Sequence, residues 1–271
     1  SEMCIRDRVI MDKIKDYYMG FQHYQALLYE LVIRDIKVRY KRSFLGLLWT
    51  VINPILTMAV MTIVFSKLFR FQIENYTTYF LVGNILFTFF TEATNNSMHS
   101  VLDNSNLIKK VYVPKYLFPI SKVMSSVVNL FFSFIALIIV MIATRVPFQA
   151  TMWLTPIVLC YIIMFAAGIG LILATIMVFF RDIAQLYSIV TLLWMYLTPI
   201  FYPVDLLLEN APWALTLNPM YHYIDFMRKL VLDGTLPSIS ENMLCLFISV
   251  ITLLIGLIVF YRKQDKYILY I

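Results

Sequence analysis

Six stretches of this chain are long and apolar enough to call for lipid around them. A helical span takes about 20 apolar residues to cross about 30 Å of hydrocarbon. Phe44–Ser66, Val123–Thr144, Thr151–Phe180, Ile183–Val204 and Met243–Tyr261 hold no charge, and Tyr76–Ser100 holds one, Glu92. Backbone polar groups in hydrocarbon must bond within their own segment, so each stretch is predicted to be a helix. The 271 residues are 61% hydrophobic and 14% charged, against about 25% charged in a soluble domain. A chain of this length has too much surface for its volume to hide that apolar excess in one core. The expected class is an all-α integral membrane protein with six transmembrane helices. A soluble enzyme, a disordered chain and a nucleic-acid module are excluded.

Lys and Arg set the orientation, because they collect on the cytoplasmic side of a membrane. An even number of spans puts both ends on one side. That side holds seventeen basic residues, from the N-terminal segment, the 101–122 loop, Arg181 and the tail. The other side holds five: Lys67, Arg70, Arg145, Arg228 and Lys229. Both termini are therefore expected in the cytoplasm, and the net charge of +6 is topological, with no nucleic-acid partner. Residues 1–10 lack the apolar core of a secretory signal and are read as a cloning or assembly scar, with Met11 the expected natural start. Residues 11–43 form a cytoplasmic interface segment. Residues 44–271 form the six-span domain, with an outer loop at 205–242 whose apolar pieces are too short to span.

The chain lacks the residues of a self-powered machine. It has no GxxxxGK[ST] phosphate loop and no HExxH, and its three histidines and three cysteines lie far apart. No metal set or nucleophile triad assembles by spacing. Glu92, the lone intramembrane charge, lies about 24 Å along its helix from Tyr76, near the cytoplasmic side. It reads as a packing or cytoplasmic-mouth residue, with a functional role as the alternative. A transporter without an internal proton relay or nucleotide site must draw its energy from a partner.

Four features carry information. Over Gln22–Arg42, Tyr24, Leu27, Leu28, Leu31, Val32 and Val38 share one helical face and Glu30, Arg34, Lys37 and Lys41 the other. This predicts an amphipathic helix at the membrane surface, with Glu30–Arg34 and Asp35–Arg39 as i,i+4 pairs. It is either a plain positive-inside anchor or a helix whose Arg34, Arg39 and Arg42 meet anionic head groups. In the fifth span Tyr187, Thr191, Trp194, Thr198, Phe201 and Tyr202 recur at helical spacing, opposite an aliphatic face. Rings and hydroxyls together suit helix packing, an interfacial belt or a passage for a sugar. Gly46, Thr50, Asn53 and Thr57, then Ser121, Ser125, Asn129 and Ser133, then Gly168 and Gly170, make small or polar stripes for close helix approach. Pro54, Pro156 and Pro199 allow bends. Finally, the basic, aromatic loop 104–119 carries Leu107, Ile108, Val111, Tyr112 and Val113, which need a cover, and Pro114 confines a helix to roughly 104–112.

Val38-Arg-Tyr-Lys-Arg-Ser-Phe-Leu-Gly-Leu-Leu-Trp-Thr-Val-Ile-Asn-Pro54 resembles the entry to the first span of type-2 ATP-binding-cassette exporter permeases. Leu107-Ile-Lys-Lys-Val-Tyr-Val-Pro114 resembles their loop after the second span, Phe180-Arg-Asp182 the turn after the fourth, and Asn218-Pro-Met-Tyr-His-Tyr223 with Arg228 the segment before the last. The likeness runs in order over Phe21–Tyr261 and is strongest to exporters of O-antigen, teichoic acid and other cell-surface polysaccharides. It implies a non-enzymatic permease in the bacterial cytoplasmic membrane, acting as a homodimer with two separate ATPase subunits on a lipid-linked polysaccharide. No cofactor is expected on this chain, and ATP and magnesium belong to the partner. Leu107, Ile108, Lys109, Lys110, Val111, Tyr112, Val113 and Pro114 would couple to the ATPase, with Arg181 and Asp182 nearby. Asn53, Thr57, Tyr187, Thr191, Trp194, Tyr196, Thr198, Phe201 and Tyr202 would line the substrate passage. A drug-efflux permease of the same superfamily, or an ATP-independent membrane scaffold or lipid-acting enzyme, are the rival expectations.

Overall fold

The structure is a computed structural model and describes residues 24–41, 46, 48–69, 73–110 and 113–270. Regular structure among the described residues is helical throughout. Helix α1 covers 24–40. Helix α2 (Leu48–Thr62) runs on into a π-helical turn, Ile63–Leu68. Helix α3 (Tyr76–Asp103) is followed at once by the short α4 (Ser105–Lys110), then by α5 (Leu117–Thr144). A 3-10 turn, Ala150–Leu154, leads into α6 (Thr155–Phe179), and a tight turn into α7 (Ile183–Leu197). Three short helices follow, α8 (Asp205–Asn210), α9 (Pro212–Thr216) and α10 (Pro219–Arg228). The chain ends in α11 (Ile239–Lys263) and one turn, α12 (Tyr267–Tyr270).

By length and composition four of these helical stretches can cross a membrane: Leu48–Ser66, Leu117–Thr144, Ala150–Phe179 and Ile239–Lys266. The two remaining expected spans differ from them in opposite ways. Helix α3 has 28 residues, about 42 Å at 1.5 Å per residue, but it is the more polar, with Asn84, Glu92, Asn95 and Asn96 along it. Helix α7 is apolar but has 15 residues, about 22 Å. The expected span to Val204 is cut short at Leu197 because Pro199 forces Thr198 out of the helical region, to φ −99° and ψ 126°. Pro156 likewise does not bend a span. It sits in the first turn of α6, where its missing N–H has no helical partner to lose. Of these three prolines only Pro54 lies in a helix interior, that of α2.

Helix α3 is the centre of the fold. It packs along α5 and α6, and α6 packs along α11. Most of its side chains are buried, among them Phe80, Leu81, Leu86, Phe90 and Met98. Helices α2 and α7 lie at the other extreme, with only Met58 and Tyr187 buried. Lipid is as apolar as leucine, so helices in it associate through close backbone approach and cross-helix hydrogen bonds. Gly168 and Gly256 supply the approach between α6 and α11: a Cβ on Gly256 would lie 2.4 Å from the Gly168 carbonyl oxygen. The bonds are supplied by Ser97 Oγ to the Pro119 carbonyl (2.9 Å), Thr94 with Tyr187 (2.6 Å), Tyr161 to Asn242 (2.8 Å) and Tyr223 with Ser249 (2.7 Å).

Replacing Gly256 by Ala puts a methyl group against backbone that cannot turn aside, so α6 and α11 must part. The expected cost is about 1–3 kcal/mol, read as a lowered midpoint in thermal unfolding of the detergent-solubilised protein.

Candidate functional site

Two ends of the bundle bring together the residues singled out above. At one end lie α1, α4, the start of α5, the end of α6 and the C-terminal turn. Helix α1 is fastened there by a polar network. Arg39 pairs with Glu92 of α3, and the same carboxylate oxygen accepts from Asn129 Nδ2 at 2.6 Å and Ser126 Oγ at 3.4 Å on α5. Tyr40 donates to Asn129 Oδ1 at 2.9 Å, Lys122 pairs with Asp35 at 3.0 Å, and Arg34 donates to Asp35 at 3.0 Å and Asn104 at 3.1 Å. These bonds stand in place of the expected i,i+4 pairs within α1: Arg39 turns to Glu92 of α3, Asp35 is shared by its neighbour Arg34 and Lys122 of α5, and Arg34 also reaches Asn104, just past α3. Arg42 lies outside the described residues. A shallow groove of about 680 Å³ along α1 is lined by Arg34, Lys37, Tyr40 and Lys41.

Helix α4 is the helix expected between 104 and 112. For Leu107, Ile108 and Val113 the expected cover is supplied by the chain itself. Ile108 is buried in a cluster with Leu31, Phe118, Phe260 and Tyr267, and Leu107 and Val113 pack against it. What α4 turns outward is Asn106, Lys109 and Lys110. Val111 and Tyr112 lie outside the described residues, and Pro114 is half-buried. Arg181 and Asp182 are exposed in the turn between α6 and α7.

The expected passage residues fall into two groups. Tyr187, Thr198 and Phe201 are buried within the single chain. Phe201 stacks on Phe65 at 5.9 Å and lies 6.1 Å from Phe80. Trp194 is half-buried, its ring edge-on to Phe90 at 5.2 Å. Thr191 is half-buried and bonds back to the Tyr187 carbonyl. Tyr196 is 60% exposed, and its carbonyl accepts from Tyr202 at 2.6 Å. On α2, Asn53 is exposed and Thr57 half-buried.

The opposite end is organised by Asn218. Its Oδ1 accepts from Trp194 Nε1 at 2.7 Å and from the N–H groups of Met220 and Tyr221, and its Nδ2 donates to Thr198 Oγ1 at 2.9 Å. One side chain therefore caps α10 and ties it to the end of α7. Arg228, at the last residue of α10, is buried with its guanidinium 3.4 Å from the Tyr79 ring centroid. Nη2 donates to the Tyr79 carbonyl at 3.3 Å, while Nε and Nη1 have no partner among the described residues. Burial pushes its pKa below the ordinary arginine value. Lys229 pairs with Asp225 at 3.0 Å and Glu241 at 2.6 Å beside a pocket of about 330 Å³, which Tyr221 and His222 also line.

Residues 26–232 match the ABC-2 type transporter family. This chain belongs to that family. It is 32% identical to the O-antigen export system permease protein RfbA of Klebsiella pneumoniae over 243 residues, 89% of this chain and 93% of that protein. It is 29% identical to the protein of the same name from Myxococcus xanthus, over 90% of this chain and 95% of that one. It is 22% identical to the polysialic acid transport protein KpsM of Escherichia coli, over 91% and 96% respectively.

Within this ABC-2 chain, the Glu92 network and the Asn218 hub escaped the sequence reading as partners. A carboxylate or amide on a polar stripe announces that it needs bonds, but the stripe does not name the helix that supplies them. Glu92→Ala leaves Arg39 unpaired against α3. The pair is partly exposed, Arg39 at 37% and Glu92 at 28%, so solvent trims its worth to about 1 kcal/mol, about fivefold in an opening equilibrium. Amide hydrogen exchange across 24–40 is expected to rise by that factor, while α6 and α11 exchange unchanged.

Proposed function

We propose that this chain is the membrane-spanning permease subunit of an ATP-driven exporter that moves a lipid-linked cell-surface polysaccharide across the bacterial cytoplasmic membrane. The observation that carries the reading is likeness along nearly the whole length of permeases named for O-antigen and polysialic acid transport. The six-span topology with both termini in the cytoplasm supports it from the distribution of basic residues. In this reading α3 crosses despite its polarity, since its polar groups are met by α1 and α5. Helix α7 completes its crossing through the bonded segment 198–202.

The remainder of the mechanism follows from which surfaces the chain leaves open. Helices α2 and α7 bury one residue each and leave Leu56, Val60, Leu193 and Tyr196 exposed. Those helices suit a homodimer in which α2 and α7 of two copies face a common passage, with Asn53, Thr57, Thr191, Trp194, Tyr196 and Tyr202 toward it. Rings and hydroxyls then meet the C–H faces and hydroxyls of the sugar. Tyr187, Thr198 and Phe201 act from behind, holding the lining in place. In this reading two ATP-binding-cassette ATPase subunits hold ATP and magnesium, a partnership supported by the family match. Closure of that pair on ATP presses on α4, whose outward face is basic, with Arg181 and Asp182 as the neighbouring contact. Nucleotide shifts the permease only through its different affinity for the two conformations. Contact with anionic head groups of lipid or substrate is assigned in this reading to Arg34 and Arg39 of α1, and on the sequence alone to Arg42.

The permease is expected to co-purify with an ATP-binding-cassette ATPase and to raise its hydrolysis rate. The double variant Lys109→Glu, Lys110→Glu should abolish most of that rise by reversing the outward charge of α4. An unchanged rate would overturn the docking of α4. In cells, removal of the permease should leave polysaccharide inside the cytoplasmic membrane, measured by fractionation and glycan staining, and restoring the chain should return it to the surface.

A further inference from the structure

The C-terminal turn, 264–270, carries no part of any motif, yet it buries a large polar ring. Tyr267 is fully buried. Its ring stands edge-on to Phe260 of α11 at 5.2 Å and to Phe179 of α6 at 6.0 Å. Its hydroxyl lies 2.7 Å from Thr175 Oγ1. Thr175 spends its only proton on the Leu171 carbonyl at 2.9 Å, so Tyr267 is the donor and Thr175 the acceptor. A buried phenol is costly unless its hydroxyl is bonded, and here a specific acceptor on α6 is provided.

The same turn reaches the segment that follows α4. Lys115 Nζ donates to the Gln264 carbonyl at 2.7 Å and stands 6.0 Å from the Tyr267 ring centroid. Gln264 directly follows the last residue of α11; its carbonyl accepts the Tyr267 N–H and takes Lys115 as a second donor, at a helix C-terminus whose partial negative charge favours an ammonium. Tyr267 also belongs to the apolar cluster that holds Ile108 of α4 and Leu31 of α1. One tyrosine and one lysine thus link Ile108 of α4 and residue 115 to the C-terminal turn, and through it to α6 and α11.

We propose that Tyr267 and Lys115 are positioning residues for energy coupling, the C-terminal turn acting as a strut that keeps α4 rigidly seated on α6 and α11. The inference rests on the reading of α4 as the ATPase contact. Without the strut, a push on α4 is absorbed by local movement of 104–116 and does not reach the spans. The strut needs the charge-assisted bond from residue 115 and the ring and hydroxyl of residue 267.

The test uses the full permease–ATPase complex. Lys115→Met and Tyr267→Phe are compared with Lys115→Arg, which can still donate to the Gln264 carbonyl, and with Lys109→Glu, Lys110→Glu. Lys115→Met is expected to assemble with the ATPase at the wild-type ratio and to lower the permease-stimulated kcat for ATP about tenfold, the rate equivalent of one charge-assisted hydrogen bond. KM for ATP should stay unchanged, and Lys115→Arg should restore most of kcat. Tyr267→Phe, which keeps the ring, should fall between them. Wild-type stimulation in assembled Lys115→Met and Tyr267→Phe complexes would overturn the strut. So would a loss that follows only the amount of complex formed, or one that Lys115→Arg fails to rescue. If stimulation survives Lys109→Glu, Lys110→Glu, the α4 reading itself fails. If it is lost there but kept in the strut variants, the strut alone fails.

Discussion

Helices in hydrocarbon gain nothing by hiding apolar surface from one another, and the architecture follows from that constraint. What holds this bundle together is where backbones can touch and where polar side chains find each other. Gly168 and Gly256 let α6 and α11 meet backbone to backbone. Ser97, Thr94, Thr175, Tyr161 and Ser249 each bond across to a neighbouring element. Helix α3 supplies two of these bonds, through Ser97 and Thr94, and is the best buried of the long helices, although it is the most polar of them. Its polarity explains its position: a helix with amides and a carboxylate belongs inside a bundle, and its aliphatic neighbours belong against lipid.

The same constraint separates a fixed part from an open part. Helices α3, α5, α6 and α11 interlock, whereas α2 and α7 present most of their side chains outward. At one end the Glu92 network and the Tyr267 cluster tie α1 and α4 to the interlocked helices. At the other, Asn218 ties α10 to the end of α7. Each end is therefore mechanically continuous with the core, and the open helices lie between them. That is a suitable layout for a body worked from one end to change what happens at the other.

Much of this was legible in the residues. Charge-free runs of about 20 residues announce spans, and Pro114 announces the end of a short helix before it, whereas the Ser238–Glu241 capping box that starts α11 four residues ahead of the expected span went unread. The 15-residue length of α7 was also within reach, since Pro199 restricts the residue before it. Partner choice was not legible. Asp35 and Arg39 are spaced to pair within α1, but Lys122 and Glu92 take them. Trp194 and Thr198 share a face that suits a sugar passage, yet both bond to Asn218. Ile108 looks exposed when its loop is read alone and is buried by Leu31, Phe118 and Tyr267.

Local pattern therefore decided that the chain is helical, where most helices begin and end, and which side of each is apolar, because those properties depend on a few neighbouring residues and on the solvent. The folded arrangement decided which polar group satisfies which, which helices stay uncovered, and that a C-terminal tyrosine sits under α4. Those outcomes depend on distances between residues some 20 to 150 positions apart, as in Thr198–Asn218 and Lys115–Gln264, and no periodicity within one helix contains them.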